Sequence, residues 1–421
     1  MTRTTPAFHP RRPAAAITAG AALALSACVG PFASRTTVPR PVALALPAGV
    51  ADSVRSEPLA NGLQLHTLVN MTAPWRAYVL EIPMRCVQLQ AVKGGPTSVG
   101  RTTTSALLAS LPAARSPLAA INADFFLFAP PGVLTNAHIE DGTVITGPDV
   151  KPGFWVGDRG AMGFDTLRTT GTLQGRAGTL ALRAWNRPAA RTTGIVDGRW
   201  GAPLDTLVRK RLVKLVAVAG TPRQRATRGT GPTFATRAVV RPAQPGDTVA
   251  IGDTLLLHYS TADRALVAQL RDGDTVRIEL AVSGAGVDRQ RTRVAQAVGG
   301  RPLLLVDSLV VNDVETEGNA GFRGLNPRSA LGFNRQRGTM WWVVIDGRRP
   351  GVTMGTSLRQ TADLLRALGA TEAMNLDGGG SSALVVREQA SGRVRVTNSP
   401  SDPTERAVGN ALAAYGTCGR R

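Results

Sequence analysis

The sequence predicts a mixed α/β fold: a single large domain with a mixed, partly antiparallel sheet, few helices and a β-rich middle region. Short runs that alternate apolar and polar residues, typical of strands, recur from about residue 58 onward. Residues 140–300 consist mostly of such runs, separated by turn signals. One strong helical pattern, SLRQTADLLRALG, lies near the C-terminus between two strand patterns.

Composition bounds the function. The chain has 421 residues, of which 43% are hydrophobic, which is typical of a globular protein. Its net charge is +20, but the arginines are scattered and aromatic residues make up only 5%. No stacking platform or basic helix emerges, so nucleic acid is not the expected partner. The basic surface indicates attraction for anionic substrates or envelope polymers.

The N-terminus is predicted to direct export. Residues 1–28 combine a basic segment with an apolar stretch too short to span a bilayer comfortably. They end in LSAC, which resembles the lipobox of bacterial lipoproteins and implies cleavage before Cys28 and a lipid on its thiol. The lipid would anchor the protein in the cell envelope, in the periplasm or at the cell surface. An ordinary secretory signal is the alternative. Residues 29–57, rich in Pro, Ala and Thr, are interpreted as a flexible tether, and 58–421 as the folded domain.

The remaining cysteines support export. If Cys28 carries lipid, Cys86 and Cys418 are left as an even pair. Outside the cytoplasm such a pair can form a disulfide, which would tie the early chain to the extreme C-terminus. Two buried free thiols are the alternative.

The C-terminal hundred residues predict a strand–helix–strand frame. GTMWWVVID is a buried-strand pattern that ends at Asp346. Ser357 can cap the following helix, with Gln360 completing a capping box, and Gly369 ends the helix in a left-handed conformation. TEAMNL then predicts a strand, DGGGSS a tight loop and ALVV another strand, which places the loop at a strand end.

The glycine loop, NLDGGGSS at 375–382, is the most unusual stretch of the sequence. Successive glycines can adopt backbone angles closed to other residues, so that their N–H groups converge on an anion. Ser381 and Ser382 add hydroxyl donors. Asp377 would repel a bare phosphate, so either a cation intervenes or Asp377 faces another part of the substrate. A hairpin turn that needs glycine for geometry alone is the alternative.

Two further stretches carry polar residues in apolar surroundings. Asn122 and Asp124 in INADFF are two positions apart, so they share one side of an extended strand and need partners or a function there. An edge strand with its polar face in water is the alternative. Arg328 in NPRSALGF stands just before an apolar strand, where it can fork onto a phosphate or simply face solvent.

Together these stretches resemble a known family, the phosphodiester glycosidase domain family (N-acetylglucosamine-1-phosphodiester alpha-N-acetylglucosaminidase-like). Its bacterial members are often labelled exopolysaccharide-biosynthesis-like proteins. The resemblance runs from Leu59 to Gly416, weakly through 200–290 and strongly from Asn326 onward. Two features depart from the family pattern. Asp124 stands where many members have glycine, and GVTMGTSLRQ is a looser approach to the helix than usual.

The resemblance implies hydrolysis of a sugar linked through its anomeric oxygen to a phosphodiester, on a phosphorylated glycan. The phosphate monoester leaves as a stable anion, so a strong general acid is less necessary than for an ordinary glycoside. Charge stabilisation on the departing oxygens helps instead, and the candidates for it are Arg328 and the donors of Gly378–Ser382. The sugar carbon needs a carboxylate, for which Asp377 is the first candidate and Asp124 the second. The substrate-binding candidates are Asn122, Asn186, Asn375, Gly378, Gly379, Gly380, Ser381 and Ser382.

Two other functions stay open at this point. A metal-dependent phosphodiesterase would hold calcium or magnesium with water on Asp377, Asp124 and Asp346. The sequence assigns no metal ligands beyond this possibility, and the few histidines argue against a rich transition-metal site. A surface lipoprotein that binds envelope polysaccharide without cutting it is the other alternative.

Overall fold

Two facing β-sheets carry the glycine loop in the computed structural model of the chain. The structure describes residues 42–201, 211–218, 224–226, 232–243, 254–312, 314 and 322–418. The first sheet, called the site sheet, has eight strands. In order across the sheet they are β1 (Ser53–Pro58), β2 (Gln64–Asn70), β3 (Trp75–Pro83), β24 (Thr339–Ile345), β23 (Arg328–Asn334), β25 (Glu372–Asn375), β21 (Leu303–Val306) and β22 (Leu309–Val310).

The second sheet, called the facing sheet, packs against the site sheet. Its strands in order are β27 (Val394–Val396), β26 (Leu384–Arg387), β6 (Pro117–Asn122), β29 (Asn410–Gly416) and β4 (Val87–Lys93). Apolar side chains of both sheets meet in one buried cluster, with Leu80, Trp342 and Met374 from the site sheet and Ile121 and Leu412 from the facing sheet. Burial of this apolar area holds the two sheets together.

The remaining strands form two further sheets and a short ribbon. One sheet contains β10 (Met162–Thr166), β9 (Pro152–Gly157), β20 (Val294–Gly299), β7 (His138–Glu140) and β8 (Thr143–Thr146). The other contains β12 (Gly178–Leu182), β11 (Arg168–Gly175), β19 (Thr275–Ser283), β17 (Pro232–Arg241), β15 (Leu212–Ala217), β18 (Thr254–His258), β14 (Gly194–Val196) and β13 (Ala184–Trp185), and β16 (Gln224–Ala226) pairs with β17. The ribbon joins β28 (Ala407–Val408) to β5 (Thr102–Thr103).

Four α-helices lie in the described residues: α1 (Thr104–Ser110), α2 (Arg264–Val267), α3 (Ala285–Gln290) and α4 (Leu358–Leu368). Helix α4 covers the outer face of the site sheet with the buried stripe Leu358, Ala362, Leu365 and Leu368. Ser357 and Gln360 form the predicted capping box, and Gly369 ends the helix at φ 99°. The predicted helix and both of its end signals are therefore confirmed.

The predicted strand–helix–strand frame is confirmed as well. Strand β24 leads through a loop into α4, and α4 leads into β25. Strand β23 lies between β24 and β25 and is antiparallel to both, so β24 and β25 run parallel to each other. The C-terminal end of β25 therefore lies beside the start of β23, where Arg328 stands.

The fold is more β-rich than the expected α/β fold with one large sheet. Its strands are divided among several sheets, and within the described residues only the β13–β14 pair is parallel. Parallel pairs need long crossover connections, whereas short turns between neighbouring strands give antiparallel pairs. The many turn signals of the middle region produce the second outcome, so the expectation of few helices and a β-rich middle is confirmed.

The ordered fold begins earlier than residue 58. The tether was expected to extend through 29–57, but Ser53–Pro58 pairs with β2, and Leu44, Leu46 and Val50 pack against the apolar cluster under α4. The Pro- and Ala-rich composition of this stretch favoured a tether over a strand. An edge strand tolerates proline, however, so this composition does not exclude strand pairing. Residues 29–41 and the signal at 1–28, including Cys28, lie outside the described residues.

Cys86 and Cys418 form a disulfide, the first of the two alternatives open from the sequence. Cys86 directly precedes β4, and Cys418 follows β29, the strand paired with β4. The bond therefore closes the end of this strand pair and joins two cysteines that are 332 positions apart in the chain.

Candidate active site

The glycine loop crosses from the site sheet to the facing sheet, and hydrogen bonds with Asn122 hold both of its ends. Asn122 ends β6, and its Nδ2 donates to the carbonyl oxygen of Asp377 at 2.6 Å. Its Oδ1 accepts hydrogen bonds from Ser329 Oγ at 2.7 Å and from the Ala383 N–H at 3.0 Å. Both ends of its buried amide are thus used within the protein. Asn122 was predicted to bind substrate, and the structure places it as a support of the loop.

Two glycines of the loop stand where a side chain would collide with a neighbour, and the third has a left-handed backbone. A Cβ on Gly378 would lie 2.7 Å from the carbonyl oxygen of Pro327. Gly379 has φ 62°, a left-handed conformation that favours glycine. A Cβ on Gly380 would overlap the Arg406 guanidinium. The three glycines therefore let the backbone approach surrounding protein groups closely.

Most N–H groups of the loop are paired within the protein. Gly379 N–H donates to Pro327 O at 2.9 Å, and the N–H groups of Ser381 and Ser382 donate to the carbonyls of Gly378 and Gly379, each at 3.2 Å. These three donors are therefore unavailable to a ligand in this conformation. Positive charge for an anion has to come mainly from side chains.

A cleft of about 240 Å³ lies over the loop. Four arginines line it, which accounts for its basic character. The full lining is Phe125, Arg301, Phe322, Asn326, Pro327, Arg328, Arg348, Asn375, Asp377, Gly378, Gly379, Gly380 and Arg406. Clefts that combine apolar walls with a few converging polar groups are the usual sites of small ligands.

Arg328, the predicted phosphate ligand, lies in this lining but is bound by the protein. It is buried, and its Nε donates to Thr356 O at 3.0 Å. Its Nη2 donates to the carbonyls of Phe322 and Gly324 at 2.7 and 2.9 Å. Arg328 therefore holds the wall segment that carries Phe322, and contact of its guanidinium with phosphate stays a prediction.

Three arginines of the cleft are not recognisable as site residues from the sequence. Arg348 donates to Asn326 Oδ1 at 3.1 Å, and Arg406 forms an ion pair with Asp402 at 2.7 Å. Arg301 lies against two phenyl rings. All three stand in loops, where an isolated arginine has no periodic pattern to distinguish it from a surface arginine.

Asp377 presents a carboxyl group with a strongly raised pKa to the cleft. Burial, and to a smaller extent the charge of Asp124, raise this pKa to about 7, against lowering by the Ser381 hydroxyl, Arg406 and the Gly378 N–H. The Ser381 hydroxyl is near enough to act on Asp377 but makes no well-formed hydrogen bond in the described residues. The Asp377 side chain is partly exposed at the cleft, so this carboxyl group can change protonation near neutral pH.

Asp124 is the second carboxyl group and lies behind the cleft. It is buried, and its Oδ2 accepts the Asn136 N–H at 2.8 Å. Burial raises its pKa to about 6, against lowering by hydrogen bonds and by the charge of Arg187. The two predicted carboxylates are therefore brought into electrostatic contact, with Asp377 at the cleft and Asp124 enclosed by protein.

Besides the Ser381 hydroxyl, two buried polar atoms of the loop have no hydrogen-bond partner among the described residues. They are Asn375 Oδ1 and Ser382 Oγ. The Asn375 Nδ2 donates to Arg301 O at 2.7 Å, so the amide orientation is set and its oxygen is the unpaired atom. Buried polar atoms usually have partners, so these two indicate where polar groups of a ligand can bind.

Asn186 is not brought to the glycine loop. Its side chain donates to Asp197 Oδ1 at 2.9 Å and accepts the Asp197 N–H at 2.8 Å. It lines a separate cavity of about 310 Å³ that also contains Arg187 and Trp200. Its predicted contact with the substrate would have to occur there.

Asp346 lies beneath the far end of the loop. It is buried, accepts the Ser399 N–H at 3.0 Å, and has its pKa raised by burial to about 6. Asn398 connects it to the loop, since its Nδ2 donates to Ser382 O at 3.0 Å and faces Asp346 Oδ1 at 3.5 Å. In the described part of the chain, no three His, Cys, Asp or Glu side chains are grouped as metal ligands.

The fold thus brings four arginines and a titratable carboxyl group together in one cleft. The family model of the phosphodiester glycosidases matches residues 216–415, in agreement with the resemblance predicted from the sequence. The matched part includes Arg328 and the whole glycine loop. Asn122 and Asp124 lie before it.

Two solved structures share the fold at low sequence identity. A hypothetical protein from Synechocystis superposes with a TM-score of 0.66 at 19% identity, over 87% of this chain and 64% of that protein. The chain thus spans less than two thirds of its length. A Burkholderia pseudomallei protein described as exported gives 0.60 at 23% identity, over 82% of this chain and 75% of that one. The zebrafish N-acetylglucosamine-1-phosphodiester alpha-N-acetylglucosaminidase catalytic domain gives 0.42 at 15%, over 89% and 87%. No curated protein matches the chain in sequence.

Proposed function

We propose that this protein is a hydrolase that cleaves the glycosidic bond of a sugar-1-phosphodiester on an envelope or extracellular glycan. The observation that carries the proposal is the placement of the Asp377 carboxyl group, with its pKa raised to about 7, in a cleft lined by four arginines. The family match supports the reaction class. The unpaired Asn375 Oδ1 supports a ligand rich in hydroxyl groups, because it can only accept hydrogen bonds.

The arginines provide positive charge that can stabilise the phosphate leaving group. Breaking the bond between the anomeric carbon and the phosphate oxygen releases a phosphate monoester that takes the bonding electrons. Its charge develops in a partly enclosed site, where fixed cations stabilise the transition state more than they would in water. Arg348 and Arg406 border the glycine loop, and Arg328 supports the wall that faces it.

The Asp377 carboxyl group provides the carboxylate that reaction at the anomeric carbon of the sugar requires. In its ionised form it acts either as the nucleophile or as the base that takes a proton from the attacking water, and the anomer of the first product distinguishes the two. The neighbouring Asp124 tunes this group, since its negative charge raises the Asp377 pKa. The pair thus keeps a proton that an exposed aspartate would lose well below neutral pH.

Export and anchoring are part of the proposal. The disulfide between Cys86 and Cys418 supports an oxidising compartment. The signal at 1–28 and the lipid on Cys28 would then place the protein on a membrane facing its glycan. No helix in the described ranges has the length and apolarity needed to cross a bilayer.

The test is turnover of synthetic sugar-1-phosphodiesters by the protein and by Asp377→Asn, with and without EDTA. Release of free sugar and phosphate monoester that is insensitive to EDTA and lost in the variant supports the proposal. Release that EDTA abolishes would favour the metal-dependent phosphodiesterase. Absence of turnover across several sugars, with retained binding of phosphorylated glycan, would favour the polysaccharide-binding lipoprotein.

A further inference from the structure

Arg301 differs from the other arginines of the cleft in its partners. Arg328, Arg348 and Arg406 each donate hydrogen bonds to a backbone or side-chain oxygen. Within the part of the chain that the structure describes, the Arg301 guanidinium forms no hydrogen bond or ion pair, and its Nε is buried. A buried charged donor without an acceptor is unfavourable unless a ligand supplies one.

Two aromatic rings hold Arg301 in place. Its guanidinium carbon lies 5.5 Å from the ring centre of Phe125 and 5.3 Å from that of Phe322. The two rings meet edge to face at 5.1 Å, which stabilises the wall that they form. Cation–π contact orients the guanidinium without consuming its N–H donors. Arg301 is therefore a preorganised fork with free donors on the cleft.

Asn375, beside Arg301, lacks a hydrogen-bond donor, whereas Arg301 lacks an acceptor. Asn375 donates through Nδ2 to the Arg301 carbonyl, and its buried Oδ1 remains free to accept. An anion cannot satisfy an acceptor, whereas a hydroxyl group can. The two neighbouring groups therefore fit a ligand that combines an anionic group with hydroxyl groups.

We propose that Arg301 binds the phosphate of the substrate and is the residue by which the cleft distinguishes a sugar-1-phosphodiester from a neutral glycoside. The proposal rests on the proposed function for the sugar part of the ligand. The phosphate part follows from Arg301 itself, because a planar guanidinium with free donors matches the tetrahedral oxygens of a phosphate.

The test is binding of methyl phosphate and inorganic phosphate to the full chain by calorimetry, with Arg301→Gln, Arg301→Lys and a control variant. The control is Arg289→Gln, which removes an exposed arginine outside the cleft and so matches the change in net charge. We expect Arg301→Gln to weaken phosphate binding by about tenfold or more, and Arg301→Lys to weaken it less because the charge remains. Arg289→Gln should bind phosphate as the native protein does. Unchanged binding in Arg301→Gln, or no phosphate binding by the native protein, would overturn the proposal.

Activity separates this proposal from the proposed function. If Arg301→Gln loses phosphate binding and no sugar-1-phosphodiester is turned over by any form, Arg301 is the phosphate ligand of a binding protein and the hydrolase proposal fails. If turnover occurs and Arg301→Gln keeps the native KM, the hydrolase proposal stands and the assignment of Arg301 is wrong. Arg301→Lys keeps the charge over the two rings, so it provides the comparison should Arg301→Gln fold poorly.

Discussion

Asn122 donates its side-chain amide to the backbone carbonyl of Asp377 at 2.6 Å, across 255 positions of the chain. The contact joins the two polar stretches that the sequence singles out, one at the end of β6 and the other just after β25. It also explains why a buried strand ends in asparagine. The amide satisfies the Asp377 carbonyl and the Ala383 N–H, at the two ends of the glycine loop, and it also accepts from Ser329 of the site sheet.

Replacing Asp377 by Asn should stabilise the protein above neutral pH. The folded-state pKa of about 7 lies above the ordinary value of 3.8, so the folded state retains a proton that the unfolded state has lost between about pH 4 and 7. This group's contribution to stability is therefore full below about pH 4 and declines as the pH rises through about 7. We expect Asp377→Asn to exceed the native free energy of unfolding by roughly 1–3 kcal/mol at pH 8 and by little at pH 4.

Urea unfolding at both pH values measures this difference. Asp272→Asn is the control, because it removes an exposed carboxylate that forms a surface ion pair with Arg241. A native protein and Asp377→Asn of equal stability at pH 8 would contradict the raised pKa.

Replacing Asp124 by Asn should move the pH dependence of activity to lower pH. If ionised Asp377 is the reacting group, kcat/KM rises with pH through about 7. Removing the negative charge of Asp124 removes one cause of the raised pKa of Asp377, so the midpoint should fall. Asp346→Asn is the matched control, because Asp346 is also a buried carboxyl with a raised pKa but is not among the main causes of the raised Asp377 pKa. An unchanged or higher midpoint in Asp124→Asn would contradict the proposal that Asp124 raises the pKa of the reacting Asp377.

Two glycines of the loop should respond differently to alanine. Gly378→Ala places a Cβ 2.7 Å from the Pro327 carbonyl, which belongs to the backbone and cannot move aside easily. We expect a loss of about 1–3 kcal/mol in stability from this overpacking. Gly380→Ala meets the ends of the Arg406 and Asp402 side chains, which can move, so we expect little loss of stability but lower kcat/KM.

Thermal unfolding and kinetics of the two variants test this contrast. A Gly380→Ala protein with native kcat/KM would show that the Arg406–Asp402 ion pair does not contribute to the reaction. A Gly378→Ala protein of native stability would show that the loop can shift away from Pro327.

Reducing the disulfide should destabilise the protein markedly. Cys86 and Cys418 close a loop of 332 positions, and the loss of so long a constraint on the unfolded chain is worth about 3–5 kcal/mol. Urea unfolding with and without a reductant measures the effect. The double variant Cys86→Ser with Cys418→Ser should match the reduced protein and be insensitive to the reductant. A native protein whose stability does not depend on the reductant would refute this expectation.

The sequence alone predicts those parts of this molecule whose cause is local. The capping box at Ser357, the left-handed Gly369 and the apolar stripe of α4 depend on residues a few positions apart, and all are present. The same is true of the strand on each side of the glycine loop. The division of the strands among several sheets is not predictable in this way, because pairing depends on residues far apart in the chain.

The glycine-rich turn beside Asp377 and the strand–helix–strand frame before it are predictable from the sequence, since these features arise from backbone angles and helix periodicity. Which charges meet at the turn depends on the tertiary structure. It paired Arg328 with backbone carbonyls, buried Asp124 behind Asp377, moved Asn186 to another cavity and brought Arg301 to the cleft between two phenyl rings. These outcomes depend on how two sheets pack, and packing joins residues that no local pattern connects.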